Sequence, residues 1–220
     1  MLPILLKIRL LTAMMSSWTA AASPVPLPAE AVSAMFVVRA ATPVEIKLFD
    51  ENLRVHASVL VDHDGTSDAS TTADIRHLLR CRRTDRERPI ARRTLAMLAD
   101  LAERHEGTTI EFVSAYRATR GESAASPHRG GRAIDFRIPG VPLREIRDYL
   151  WRTHREVGVG WYPTEGYVHL DARPGLGDTA WTYVDGENRY NPYWAALARR
   201  PEGAPQHPTT TAASIRKPGS

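Results

Sequence analysis

The chain has 220 residues, 43% of them hydrophobic and 25% charged, with a formal net charge of +4. That is enough apolar content for one buried core and too little length for two full enzymatic domains, and it excludes wholesale disorder. A single cysteine, Cys81, excludes an intramolecular disulfide and a Cys-rich zinc module; its neighbours Arg80, Arg82 and Arg83 would favour a thiolate, but a lone cysteine is more commonly a small buried apolar group.

Residues 1–23 read as a signal peptide: Lys7 and Arg9, an apolar run to Met15, then Ala20-Ala21-Ala22-Ser23 ahead of a Pro-rich stretch. Ser16 and Ser17 interrupt the run, which is too short to span a bilayer, so the expectation is export with no stable membrane span. Residues 30–65 form a small β-rich segment, with strands at 35–39, 44–48 and 55–61 and a turn at Asp50-Glu51-Asn52. Residues 62–72 read as a polar loop. A short helix follows at 74–83 and a longer one at 89–106, with Pro89 near its start, Gly107 just past its end, and Ile90, Thr94, Leu98 and Leu101 as its buried stripe. Eight arginines lie between Arg76 and Arg93. Asp85 and Glu87 interrupt them and no stacking aromatics accompany them, so they read as a solvated helix face rather than a nucleic-acid surface, with some preference for an anionic polymer.

Strands are expected at 109–114 and 133–138, a helix at 142–155 burying Leu143, Ile146, Tyr149 and Leu150, and strands at 158–161 and 167–171 around the turn Tyr162-Pro163-Thr164-Glu165-Gly166. Segments 119–126 and 172–190 read as loops. The last residues, 200–220, rich in Pro, Thr, Ala and Ser, read as a disordered tail. The fold class is α+β.

The segment Ser126-Pro127-His128-Arg129-Gly130-Gly131-Arg132-Ala133-Ile134-Asp135 carries the chemistry. His128 and Asp135 are too far apart for one helical turn, but a loop entering a strand can deliver both to one metal ion. His169 supplies a third donor, and Asp171 lies two residues on, on the same face of its strand. Three protein ligands leave one position open, which separates a catalytic zinc site from a closed structural one. His56, His63, His77, His105 and His154 have no partner at ligand spacing, and Gly158-Val159-Gly160 lacks the third glycine of a nucleotide fingerprint.

The pattern Ser-x-His-x-x-Gly-x-Ala-x-Asp, met by Ser126, His128, Gly131, Ala133 and Asp135, resembles that of the D-Ala-D-Ala carboxypeptidase-like zinc peptidases. Ser114-Ala115-Tyr116-Arg117 is similar to the strand-end Ser-Gly-Tyr-Arg of that family, and Gly158-Val159-Gly160-Trp161-Tyr162-Pro163 with Tyr167-Val168-His169-Leu170-Asp171 resembles its murein endopeptidase branch. The resemblance implies an antiparallel sheet with flanking helices, of the Hedgehog and D-Ala-D-Ala peptidase type, spanning 74–196 and preceded by the β appendage at 30–65. It implies Zn2+ held by His128, Asp135 and His169, an oxyanion-steadying role for Arg117, and a monomer in the periplasm or cell wall acting on peptidoglycan peptide stems. Carboxypeptidase relatives carry a Glu three residues before the last histidine as general base; here Gly166 stands there. Asp171 and Glu165 are the candidate replacements, and Asp171 is equally a candidate to fix the tautomer of a ligand histidine. The rival expectation is a catalytically inactive, zinc-containing wall-binding module.

Overall fold

The computed structural model describes residues 42–200. The leader, the strand expected at 35–39 and the C-terminal tail lie outside the described residues. The chain order is β1 (Val44–Asp50), β2 (Val55–Val61), α1 (Ala69–Leu78), α2 (Arg92–Arg104), β3 (Ile110–Ser114), β4 (Ala133–Arg137), α3 (Leu143–Thr153), β5 (Val157–Tyr162), β6 (Tyr167–Ala172), β7 (Thr179–Val184), β8 (Glu187–Tyr190) and α4 (Tyr193–Ala198). The eight strands among the described residues form one sheet, in the order β2-β1-β3-β4-β6-β5-β7-β8.

Two expectations about this sheet are corrected. It is mixed rather than antiparallel, because β1 pairs parallel with β3 and β5 parallel with β7. A parallel neighbour requires a crossover, and β1 reaches β3 through β2, α1 and α2. Nor are β1 and β2 an appendage: Ile46, Leu48, Val59 and Val61 are buried in the same core as Leu98 and Leu101 of α2. An amphipathic hairpin beside an open sheet edge buries its apolar face most completely by joining that sheet.

The helices differ in detail too. α1 starts five residues earlier than the sequence suggests, because Asp68 caps it, its carboxylate accepting the Thr71 N–H at 2.7 Å. It ends at Leu78 and carries only Arg76 of the run, so Arg80 to Arg88 form irregular chain rather than a helix face, and Cys81 is buried in that turn. α2 presents Thr94, Leu95, Leu98 and Leu101 to the core at helical spacing. Segment 172–190, expected as loop, contains β7 and β8 joined at Asp185-Gly186.

The centre of the sheet positions the site. β4 and β6 pair antiparallel with Asp135 opposite His169 and Ala133 opposite Asp171. β5 flanks β6 on the other side, with Gly158 opposite Asp171 and Gly160 opposite His169. Adjacent strands lie about 4.8 Å apart, so register alone brings Asp135 and His169 side by side. The loop carrying His128 is fastened to α2: Ala91 N–H donates to Gly131 O at 2.8 Å and Thr94 Oγ1 to Arg132 O at 2.9 Å. Gly131 adopts φ +66°, and a Cβ there would stand 2.5 Å from Pro89 O, so glycine is required twice over.

Candidate metal centre

His128, Asp135 and His169 are 3%, 3% and 5% exposed, and one donor atom of each lies within 4.8 Å of the other two. His128 Nε2 is 3.1 Å from His169 Nδ1 and 3.3 Å from Asp135 Oδ2, and His169 Nδ1 is 2.7 Å from Asp135 Oδ1. Ligand bonds near 2.0–2.2 Å in tetrahedral geometry separate donors by about 3.3 Å, so the cluster already has the size of a zinc site.

The two histidines are prepared for that role by their outer nitrogens. His128 Nδ1 lies 2.7 Å from Ala115 O, an atom that only accepts, so the ring carries its proton there and turns a lone pair inward at Nε2. His169 Nε2 lies 3.1 Å from Asp171 Oδ2, so its proton sits on that side and Nδ1 turns inward. Two imidazole lone pairs and a carboxylate thus converge in a buried space, an arrangement that repels itself unless a cation lies among them. Arg117 approaches from the solvent side. Its Nη2 donates to Asp135 Oδ2 at 2.6 Å and stands 2.6 Å from His128 Nε2, while its Nε donates to Ser114 Oγ at 3.0 Å.

Titration reflects the same crowding. Burial pushes the Asp135 carboxyl up, but the His128 and His169 rings outweigh it and hold it well below the usual carboxylate range. Burial pushes His169 down, yet its hydrogen bonds to Asp135 and Asp171 prevail and raise it to about 9. A metal ion at Nδ1 would compete with protons for that ring. Asp171 is held low by His169 and Arg173 against the effect of burial.

Asp171 faces away from the cluster. Its carboxylate is 0% exposed, and it divides between His169 Nε2 and the Arg173 guanidinium, whose Nε is 2.9 Å from Oδ1. Glu165 is exposed in the β5–β6 turn and makes no hydrogen bond to the cluster. Gly166, three residues before His169, has φ +77° and donates its N–H to Tyr162 O at 2.9 Å. Other participants are less evident from the sequence. A Cβ on Gly158 would stand 1.9 Å from Asp171 Oδ2, and one on Gly160 2.5 Å from the Trp181 ring, which itself lies 5.0 Å from His169. The glycines of Gly158-Val159-Gly160 are thus spaces for site side chains. Arg173 was available from the two-residue strand period beyond Asp171. Glu122, 16% exposed with Oε2 3.8 Å from Arg117 Nη1, lines a cavity of about 560 Å3 that reaches Arg117, Asp135 and Tyr167; no spacing in the sequence points to it.

A family model described as peptidoglycan L,D-endopeptidase MepK matches residues 38–176. The chain belongs to this M15 peptidase family. The match includes β1 and β2 along with all three clustered side chains. A probable peptidoglycan L,D-endopeptidase MepK of Haemophilus influenzae is 45% identical over 58 residues, covering 26% of this chain and 31% of that protein. The peptidoglycan L,D-endopeptidase MepK of Escherichia coli K12 is 35% identical over 75 residues, covering 30% of this chain and 41% of that protein. The chain thus matches less than half the length of these curated relatives. No solved structure matches it.

Proposed function

We propose that the protein is a zinc-dependent peptidase that hydrolyses amide bonds in peptidoglycan peptide stems or crosslinks. The observation that carries this reading is the buried convergence of His128 Nε2, His169 Nδ1 and Asp135, each ring with its outer nitrogen already bound. The donor set, two imidazoles and one carboxylate, is that of a catalytic zinc site with room for one further ligand. When bound, zinc supplies a Lewis acid and water whose pKa falls to about 7.

The chain's own residues divide the remaining work. Arg117, held by Ser114 and by Asp135, presents its guanidinium to the carbonyl oxygen as negative charge develops there. Asp171 is a positioning residue, keeping the His169 proton on Nε2. Proton transfer falls to Glu122, the carboxylate that lines the cavity together with Asp135 and Arg117; Glu165 stands outside it. Tyr162, stacked between Tyr167 and Tyr183 with ring centroids 4.5 and 5.1 Å away, walls the site on the β5–β6 side.

The antiparallel β4-β6-β5 core supports a D-Ala-D-Ala peptidase-like, Hedgehog-related fold, and the incorporation of β1 and β2 adds residues 44–61 to the peptidase domain. Activity on peptidoglycan implies an exported protein; no described helix is long and apolar enough to cross a membrane. Digestion of purified murein by the wild type and by His128→Ala, with products identified by mass spectrometry, tests the reading. Zinc-dependent release of muropeptides by the wild type alone is expected. Equal release by both proteins would overturn it, and a zinc-loaded wild type that binds muropeptides without cutting them would favour a non-catalytic wall-binding module.

A further inference from the structure

The arginine run of the sequence is left unused by the metal centre, yet the fold places part of it in the same cavity. That cavity is lined by Asp135, Glu122 and Arg117 and also by Arg80, Arg82 and Arg83. Two of these three arginines are already engaged. Arg80 Nε meets Asp85 Oδ1 at 2.5 Å and its Nη1 donates to His77 O at 2.7 Å. Arg82 pairs with the buried Asp50, donates to Leu78 O at 2.6 Å, and lies over the Phe112 ring. The Arg83 guanidinium is exposed and has no hydrogen bond or ion pair among the described residues.

The turn that carries Arg83 is held in place. Cys81 N–H donates to Arg86 O at 2.9 Å and Asp85 N–H to Cys81 O at 2.8 Å, closing the turn on itself. Two further bonds tie it to the Arg117 loop: Tyr116 N–H to Leu79 O at 3.2 Å and Ala118 N–H to Cys81 Sγ at 3.3 Å. The backbone that carries the unpaired cation is therefore fixed relative to the Arg117 loop.

We propose that Arg83, backed by Arg80, is a carboxylate-binding subsite that selects peptides bearing a free acidic group close to the bond being cut. This rests on the peptidase reading above. A carboxylate held at Arg83 anchors the peptide in the cavity that also reaches Arg117 and Asp135, which leaves the neighbouring amide to extend toward the metal centre. Arginine suits the task because its planar fork can hold both carboxylate oxygens.

The test uses the zinc-loaded full chain and two synthetic stem peptides that differ only in one free carboxylate against its carboxamide. In both, the scissile amide is replaced by a methylene-amine so that neither is cut. Calorimetry should show the carboxylate peptide binding about fivefold tighter to the wild type, the size expected of a partly solvated ion pair. Arg83→Gln should bring the ratio close to one, and Arg83→Glu should invert it. A ratio unchanged in both variants, or no preference in the wild type, would overturn the subsite. Because the peptides are uncleavable, this result is independent of the murein digestion that tests the peptidase reading.

Discussion

Replacing Asp171 by Asn separates its two candidate roles. The variant keeps the volume of a side chain with no exposed surface, and one amide oxygen can still accept from His169 Nε2, now 3.1 Å from Oδ2. What is lost is charge. A bond to an ionised acceptor is about twice as strong as its neutral counterpart, and Arg173, 22% exposed, loses its buried partner but keeps contact with water. Loss of such a group behind a ligand histidine weakens metal binding about 10- to 100-fold, equivalent to about 1.4–2.7 kcal/mol. Zinc affinity is measured by competition with a chromophoric chelator, and hydrolysis is measured in parallel at saturating zinc. The expectation is a weakened zinc site and a kcat that recovers to within a few fold once zinc saturates it. Gly158→Ala, whose new methyl would collide with Asp171 Oδ2, should act in the same direction. Unchanged zinc affinity with hydrolysis abolished would refute the positioning role and make Asp171 the proton acceptor.

Glu122→Gln should show the converse pattern, with zinc affinity retained and kcat lower by about 10²–10⁴; steady-state rates near those of the wild type would remove Glu122 from the mechanism. Asp178 fastens the chain after α4, accepting from Arg199 Nη1 at 2.6 Å and from Val157 N–H at 3.2 Å. Burial pushes its carboxyl up, but these bonds outweigh burial and hold it below the ordinary value. Its contribution is therefore complete above its unfolded pKa near 4 and disappears as pH falls through the lower folded value. Asp178→Asn should cost about 1–2 kcal/mol at pH 7 and flatten the loss of stability between pH 4 and 2 in urea titrations; parallel wild-type and variant curves would refute the assignment.

The residues of the cluster were legible because their spacing is a chemical constraint: two donors on a loop and its following strand, a third on a partner strand. How β1 and β2 join the sheet was not, since alternation in Val44–Asp50 identifies a half-buried strand without naming its neighbour. The hairpin of β7 and β8 did leave a signal. Asp185-Gly186, at φ 55° and 84°, is the two-residue turn that joins twisted antiparallel strands, and alternating residues flank it. Asp68 was equally visible as a cap, but the Ser and Thr residues after it have the composition of a loop. The arginine run looked like a helix face because charge patterning is blind to where a helix stops. The opposed possibilities for Asp171 could not be resolved from spacing, because strand periodicity gives the face of a side chain and not which nitrogen of the neighbouring ring it meets.

The two histidines of the cluster depend on different kinds of partner. His128 is oriented by the main-chain carbonyl of Ala115, an atom that every amino acid supplies, whereas His169 depends on the side chain of Asp171. Point mutation can therefore reach the environment of one ligand and hardly touch that of the other. Variation in metal affinity among descendants of this chain should accumulate on the β6 side, at Asp171, Arg173 and the glycine that makes room for them, while the His128 side stays constant for as long as the backbone of its loop holds its path.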